Sequence, residues 1–297
     1  MTRKLVFFIS DMHYGRKTAR WDTSRASALL SRVRQTLSDI IESERCDAIG
    51  ICFLGDILDG ESVFRFQASE QELVGSEQAF GAVQLFWDNL IAPLAEQVEV
   101  RLDGVPGNHA FLKGAHPKTN LDTFLYKLLA QRHHERVIPQ FDTTEADTLE
   151  VKLSKMFGRG ILIGHGHFLR SRNGLPFVGA QLRVLQWLQR WRKIEKSIPI
   201  VAAAFGHFHR FGCFSVSDTL VVFNGTALDH DEWSITRFGG DGDRIWTALL
   251  ISERIEKLIM IPLSSGDRDK TNAGNTTDIP VPSTRTLYRR KRSQRGR

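Results

Sequence analysis

Five times along this chain a short apolar run stops at a glycine or a hydroxyl residue and gives way to carboxylate, amide or imidazole side chains. Residues 5–10 run into Asp11-Met12-His13, and residues 48–54 into Gly55-Asp56-Ile57-Leu58-Asp59. The run 98–102 precedes Gly107-Asn108-His109, 160–163 precedes Gly164-His165-Gly166-His167, and 200–205 precedes Gly206-His207-Phe208-His209. Apolar runs this short, bounded by glycine, have the length of buried strands. A fold that aligns the ends of such strands gathers all of these groups at one edge, so the pattern constrains topology and chemistry together.

Helical periodicity separates the first three runs. Ala28/Leu29, Val33, Leu37 and Ile40/Ile41 recur at helical spacing over 25–41, and a second helix is expected over 76–94. Alternating strands and helices imply parallel strands with crossover helices, whose functional edge lies beyond the carboxyl ends of the strands. Farther on, 121–131 reads as a helix. Strands are expected at 149–153, 160–163, 200–205, 213–217, 219–223, 244–251 and 255–262, with Asp218 in a hairpin turn. Residues 180–194 have an amphipathic helix pattern, with Leu182, Leu185, Leu188 and Trp191 or Ile194 on the apolar face. No internal repeat is visible, and one folded unit with two sheets over 1–263 accommodates these elements better than two domains. Residues 264–283 are polar and rich in Gly, Pro, Ser and Thr, which reads as a flexible linker. With the tail that follows, they make up a separate segment, 264–297.

The tail concentrates the positive charge. Residues 284–297 carry seven Arg or Lys and no acid, which leaves −1 on the other 283 residues out of a total of +6. Such a tail suits nucleic acid or an acidic protein partner, or serves only to solubilise the terminus. Within the body, 56–103 sums to −8 and 169–198 to +6. No run approaches the roughly 20 apolar residues of a membrane span. The N-terminal run is too short for a signal peptide, so no membrane association and a cytoplasmic location are expected. Cys46, Cys52 and Cys213 lack paired metal spacing and read as buried thiols.

The chemistry-bearing groups form a coherent ligand set. Carboxylates hold dications, and neutral imidazoles add borderline-soft nitrogen donors, a mixture that favours Mn, Fe, Zn, Co or Ni over Mg or Ca. In Asp-x-His and His-x-His an extended backbone would let two side chains converge on one ion. Within Gly164-His165-Gly166-His167 either imidazole is a candidate, and Asp59 and His109 also fit turn or core positions.

Asp11-x-His13, Gly55-Asp56-x-x-Asp59, Gly107-Asn108-His109, His165 and Gly206-His207-x-His209, in this order, resemble the motif set of the calcineurin-like metallophosphoesterase family. The resemblance spans residues 5 to about 230. It implies a four-layer αββα sandwich, two mixed β-sheets flanked by helices. It also implies two divalent ions, with manganese the first choice. Asp11, His13 and His209 would hold one ion, Asn108, His165 and His207 the other, and Asp56 would bridge them. His109 would act on the phosphate or leaving group, oriented by Asp59, while a hydroxide shared by the ions attacks phosphorus. Family position favours His165 over His167 as the ligand.

The motif details resemble those of SbcD/Mre11-like DNA nucleases more than those of protein phosphatases, which carry an arginine after the second acid where Gly60 stands and an acid where Ala110 stands. The nucleases usually have an acid at that second position too, and their capping domain has no counterpart after residue 240. The expected function is a phosphodiesterase or nuclease acting on DNA. Two alternatives are a phosphomonoesterase or cyclic-nucleotide phosphodiesterase for a small molecule, and a metal-binding scaffold without catalysis. The arginines of 169–198, with Trp187, Trp191, Phe168 or Phe208 as base-stacking candidates, would hold a phosphate backbone. The apolar face of 180–194 suits the core or a homodimer interface.

Overall fold

Strand β1 (Arg3–Ile9) shows how the core is built. Leu5, Phe7 and Ile9 pack on one side of it with helix residues, while Val6 and Phe8 pack on the other with strands of a second sheet. Both faces are covered, so the sequence reads as a continuous apolar run with no polar alternation. The structure is a computed structural model that describes residues 2–63, 67–112, 116, 119–141, 151–169, 177–229, 235–236, 240–264 and 277–280.

Strands β1, β2 (Cys46–Phe53), β3 (Glu99–Gly104) and β4 (Val137–Pro139) lie parallel and adjacent. Antiparallel β10 (Ile245–Ile251), β11 (Ile255–Pro262) and β12 (Thr277–Pro280) extend this sheet from β1 in the order β12-β11-β10-β1-β2-β3-β4. The second sheet has the order β5-β6-β7-β9-β8. It comprises β5 (Lys152–Met156), β6 (Arg159–Gly164), β7 (Ile200–Phe205), β8 (Gly212–Val216) and β9 (Thr219–Phe223). Here β6, β7 and β9 are parallel, and β5 and β8 run antiparallel at the edges.

Helices α1 (Thr23–Glu44), α2 (Ser76–Phe86), α3 (Ala92–Ala95) and α4 (Leu121–Ala130) flank the first sheet. Helix α5 (Phe177–Ile194) covers the outer face of the second. One apolar cluster lies between the first sheet and its helices, one between the sheets, and one between the second sheet and α5. These are the four layers of the expected sandwich. No helix among the described residues is long and apolar enough to cross a membrane.

Several local expectations need correction. The helix expected over 76–94 is interrupted by a π-helical turn, Trp87–Ile91. Pro93 offers no N–H to the preceding turn, and the Ala92 N–H reaches back five residues to the Trp87 carbonyl. Strand β5 starts later than the 149–153 pattern suggested, and residues 142–150 lie outside the described part. Strand β4 went unread because three residues are too few for a periodicity. Strand β12 pairs with β11 inside the stretch read as linker. On α5 the buried face is Ala180, Val184 and Leu188, whereas Leu182 and Ile194 are each 62% exposed. Trp187 and Trp191 are half-buried against the same cluster, with Phe168 edge-on to Trp187. Cys46 and Cys52 are buried, but Cys213 is exposed. The basic tail lies outside the described residues.

Phe8 is fully buried between the two sheets. Phe8→Ala should lower unfolding stability by about 3–5 kcal/mol, read from the urea midpoint at constant m-value.

Candidate metal centre

The carboxyl ends of β1, β2 and β3 in one sheet and of β6 and β7 in the other point to the same edge. The five loops beyond them meet there. Two of these loops are stitched together through the backbone. Met12 and His13 donate N–H groups to the Asp56 carbonyl at 2.9 and 3.0 Å, and Tyr14 donates to Ile57 at 2.8 Å. The second sheet joins through Asp11, whose carboxylate oxygens each accept the His207 N–H at 3.0 Å.

Three overlapping groups of candidate ligand atoms result: Asp11, His13 and His209; Asp56, His165 and His207; and His13, Asp56 and His109. Asp56 is common to the last two. Asn108 completes the second group, its Oδ1 lying 3.0 Å from His165 Nε2. The structure therefore brings together Asp11, His13, Asp56, Asn108, His109, His165, His207 and His209. Asp59 adjoins them, with Oδ1 at 2.8 Å from His13 Nδ1 and 3.3 Å from His109 Nδ1. His167 belongs to none of the three groups, which separates it from His165. Its ring lies beside those of His165 and His207, at 5.7 and 6.2 Å between centroids.

The orientation of the imidazoles fits a metal. His165 Nδ1 is 2.9 Å from the Leu54 carbonyl, which can only accept, so Nδ1 carries the hydrogen. In the neutral ring Nε2 is then a lone pair, and it faces Asp56 Oδ2 at 2.9 Å as well as Asn108 Oδ1. His13 is arranged alike. Its Nδ1–H donates to Asp59, and its Nε2 faces His209 Nε2 at 3.3 Å. Electron-pair donors that converge on one another out of reach of water need a cation between them. Carboxylate with imidazole suits Mn, Fe, Zn, Co or Ni, so the residues present fit two divalent ions.

Burial sharpens the electrostatics. Desolvation by itself raises the Asp56 carboxyl, yet His165, His109 and His13 around it hold it well below the usual carboxylate range. Desolvation opposes charge on His165, but Asp56 outweighs it and pushes the ring up to about 9. His207 is pushed down to about 3 and His167 to about 4, by burial first and then by the neighbouring His165. His109 is raised, because Asp56 and Asp59 overcome its own desolvation.

The Asp-x-His and His-x-His pairs do not converge from extended backbone. Asp11, His13, Asp56, His207 and His209 all have positive φ, between 48 and 74°. Non-glycine residues held in this region cost about 1–3 kcal/mol each and cluster at functional sites. The preceding glycines have a different task, which is close approach. A Cβ on Gly107 would collide with the Asp56 carboxylate, and one on Gly206 with the Asp11 carboxylate.

Sequence reasoning missed several supporting residues. Asp122, in the first turn of α4, accepts the Leu58 N–H at 3.0 Å and the Gly107 N–H at 2.9 Å, tying the second loop to the third. Burial, then repulsion from Asp56, pushes its carboxyl up to about 7. Asn120, two residues earlier, caps α4 by accepting the Asp122 N–H at 2.8 Å, and its amide donates to the Gly107 carbonyl at 2.8 Å. The turn Asn224-Gly225-Thr226 braces the first loop: the Thr226 hydroxyl and the Ala227 N–H both donate to the Asp11 carbonyl.

No protein-family model and no curated protein matches the chain. Among solved structures it is similar to zinc-bound vacuolar protein sorting 29 of Entamoeba histolytica. That overlay has 13% identity and a TM-score of 0.42, over 93% of this chain and 98% of that one. It is also similar to Yfce, a phosphoesterase from E. coli, at 13% identity and TM-score 0.41 over 94% and 100% of the two chains. A third is a Streptococcus pneumoniae protein described as a predicted phosphoesterase, with 14% identity, TM-score 0.40 and coverages of 95% and 99%. At this level of similarity the chemistry of the site has to be derived from its own side chains.

In metal-free protein the raised pKa makes His165 an imidazolium paired with Asp56 at neutral pH. An ion must displace that proton, so divalent-metal affinity in a chelator competition should climb as pH rises toward about 9. The same pair stabilises the metal-free fold fully below the ordinary histidine value of 6.5. That contribution is lost as pH rises through about 9, so the metal-free melting temperature should fall over this window.

Proposed function

We propose that this chain is a phosphoester hydrolase working with two divalent metal ions, manganese foremost, and that its substrate is a phosphodiester of DNA. The observation that carries the hydrolase reading is the buried, acceptor-to-acceptor arrangement around Asp56. His165 Nε2 faces two oxygens on one side of the site, and His13 Nε2 faces His209 Nε2 on the other. Asp11, His13 and His209 would hold one ion, Asn108, His165 and His207 the other, and Asp56 would serve both. Such a pair, when bound, supplies Lewis acidity that polarises a phosphoryl oxygen and activates water.

The protein's own groups do the rest. His109 is more open than His13, His165 and His209, with 17% of its side chain exposed. Its Nδ1 is engaged by Asp59, which fixes the direction of the ring. Raised in pKa by Asp56 and Asp59, it holds a proton that it can deliver to the leaving oxygen or share with a phosphoryl oxygen. The Asp56 carboxylate cannot swing away, because Oδ1 accepts the His109 N–H at 2.7 Å. Two side chains that must act on one phosphate are thus locked to each other through the backbone.

The preference for DNA rests on charge. Arg183, Arg190, Arg192 and Lys193 are exposed on α5, which also carries the apolar face that seats it on the second sheet. Arg192 is paired with Asp218, whereas Arg190 and Lys193 have exposed positions suited to phosphate. The resemblance of the motifs to those of SbcD/Mre11-like nucleases supports the same reading.

With Mn²⁺, wild type should cleave DNA and bis-p-nitrophenyl phosphate in preference to p-nitrophenyl phosphate, and Asp56→Asn should abolish all of it. His109→Ala should lower kcat by about 10²–10⁴ while metal content, read by mass spectrometry, stays the same. Turnover confined to monoesters or cyclic nucleotides would replace the DNA reading, and bound metal without turnover on any phosphoester would leave a scaffold. Reversing charge at Arg183, Arg190 and Lys193 should flatten the slope of log DNA affinity against log salt by roughly 2–3.

A further inference from the structure

Asp59 is held by a chain of glutamine amides that no motif of the sequence announces. The chain starts at the Gly60 N–H, which donates to Gln78 Oε1 at 2.9 Å. That contact fixes which end of the Gln78 amide is oxygen. Gln78 Nε2 then donates to the Leu73 carbonyl at 2.8 Å and to Gln71 Oε1 at 2.9 Å. The polarity of Gln71 is fixed in turn, and its Nε2 donates to Asp59 Oδ2 at 2.6 Å. Gln67 closes the network from another side. Its Oε1 accepts the Val63 N–H at 2.7 Å, and its Nε2 donates to the Asp59 carbonyl at 2.7 Å and approaches Asp59 Oδ2 at 3.3 Å.

Gln67 and Gln78 are fully buried. A buried amide is retained only where both ends are satisfied, and flipping any one of these would set donor against donor or acceptor against acceptor. The donors from Gly60 through Gln78 and Gln71 therefore point toward Asp59. Its Oδ2 is committed to amide donors, and its Oδ1 is left for two imidazoles, His13 Nδ1–H at 2.8 Å and His109 Nδ1–H at 3.3 Å. One carboxylate sets the ring orientation of a candidate metal ligand and of the candidate acid at the same time, so its own rotation has to be prevented.

We infer that Gln71 and Gln78, with Gln67, are positioning residues. They lock the Asp59 carboxylate so that His13 and His109 both keep the hydrogen on Nδ1 and present Nε2 to the reacting centre. The catalytic part of this inference rests on the hydrolase reading; the effect on the imidazoles does not. Neither Gln71 nor Gln78 touches a candidate metal ligand. Both act on the imidazoles through Asp59, whereas Gln67 Nε2 also lies 3.4 Å from His109 Nδ1.

Two variants separate positioning from packing. Gln71→Met keeps the bulk and removes both polar ends. Gln71→Glu keeps the shape and replaces the donor facing Asp59 with an acceptor. In metal-free protein labelled with ¹⁵N-histidine, wild type should show two hydrogen-bonded, downfield Nδ1–H resonances from His13 and His109, in addition to that of His165 on the Leu54 carbonyl, which serves as an unaffected reference. Both should weaken or vanish in Gln71→Met and in Gln71→Glu, with the unfolding transition still cooperative. On bis-p-nitrophenyl phosphate, kcat should fall roughly 10–100-fold in both variants, as when partners of metal-site histidines are removed. KM should stay within about a factor of two, because binding is not what is lost.

Retention of both resonances in Gln71→Met overturns the inference whatever the kinetics show. Their loss with kcat unchanged overturns the positioning role in turnover, and full activity in Gln71→Glu does the same by showing that shape alone suffices. If wild type hydrolyses no phosphoester, the proposed function fails while the resonances still decide whether the glutamines orient the two rings.

Discussion

Negative charge buried without a fixed positive partner is the constraint around which this molecule is organised. Asp11, Asp56 and Asp59 are each at most 1% exposed, and neither an arginine nor a lysine pairs with them among the described residues. What surrounds them instead is a shell of five imidazoles and a few backbone N–H groups. Removing a carboxylate from water costs several kcal/mol unless something replaces the lost hydration. Here the compensation is partial in the protein alone, and protons on the rings or divalent ions would complete it. The depressed carboxyls and the raised His165 express that one fact from two sides.

The rest of the architecture serves to hold such a cluster together. Two sheets, each with adjacent parallel strands, aim five loops at one edge, and the apolar layer between the sheets fixes their separation. The loops are then bonded to one another through the backbone, so a shift in one is transmitted to its neighbour. Left-handed backbone at five candidate site residues stores strain of about 1–3 kcal/mol each, which a free loop would release and which the packed core prevents.

Support for the site extends outward through amides, a hydroxyl and one carboxyl, that of Asp122. Glutamine amides surround Asp59, Asn120 and Asp122 brace the loops after β2 and β3, and the Asn224–Thr226 turn grips the carbonyl of Asp11. Amides suit this task because they neither compete for a cation nor titrate, yet they fix the direction of each hydrogen bond. Asp122 apart, the ionisable groups lie at the centre, and the amides around them hold them still without altering the total charge.

The sequence by itself determined the strand ends and the residue types placed on them. Apolar runs of the right length, each closed by glycine or serine and followed by Asp, Asn or His, made nearly every central strand legible, and with it the set from Asp11 to His209. Local pattern could do this because strand burial and the turn after it are properties of neighbouring residues. Tertiary structure decided what depends on contacts between distant segments. Which imidazole of the pair His165 and His167 joins the ligand group is set by the Leu54 carbonyl, more than a hundred residues away in the chain. The conformation of Asp-x-His is left-handed, not extended, because the loop must bend back onto Asp56. The face of α5 that is buried, Ala180 with Val184 and Leu188, was chosen by the shape of the sheet beneath it over the larger Leu182. Gln67, Gln71, Gln78 and Asp122 carried no sequence signal, since a buried polar side chain differs from an exposed one only in the company the fold gives it.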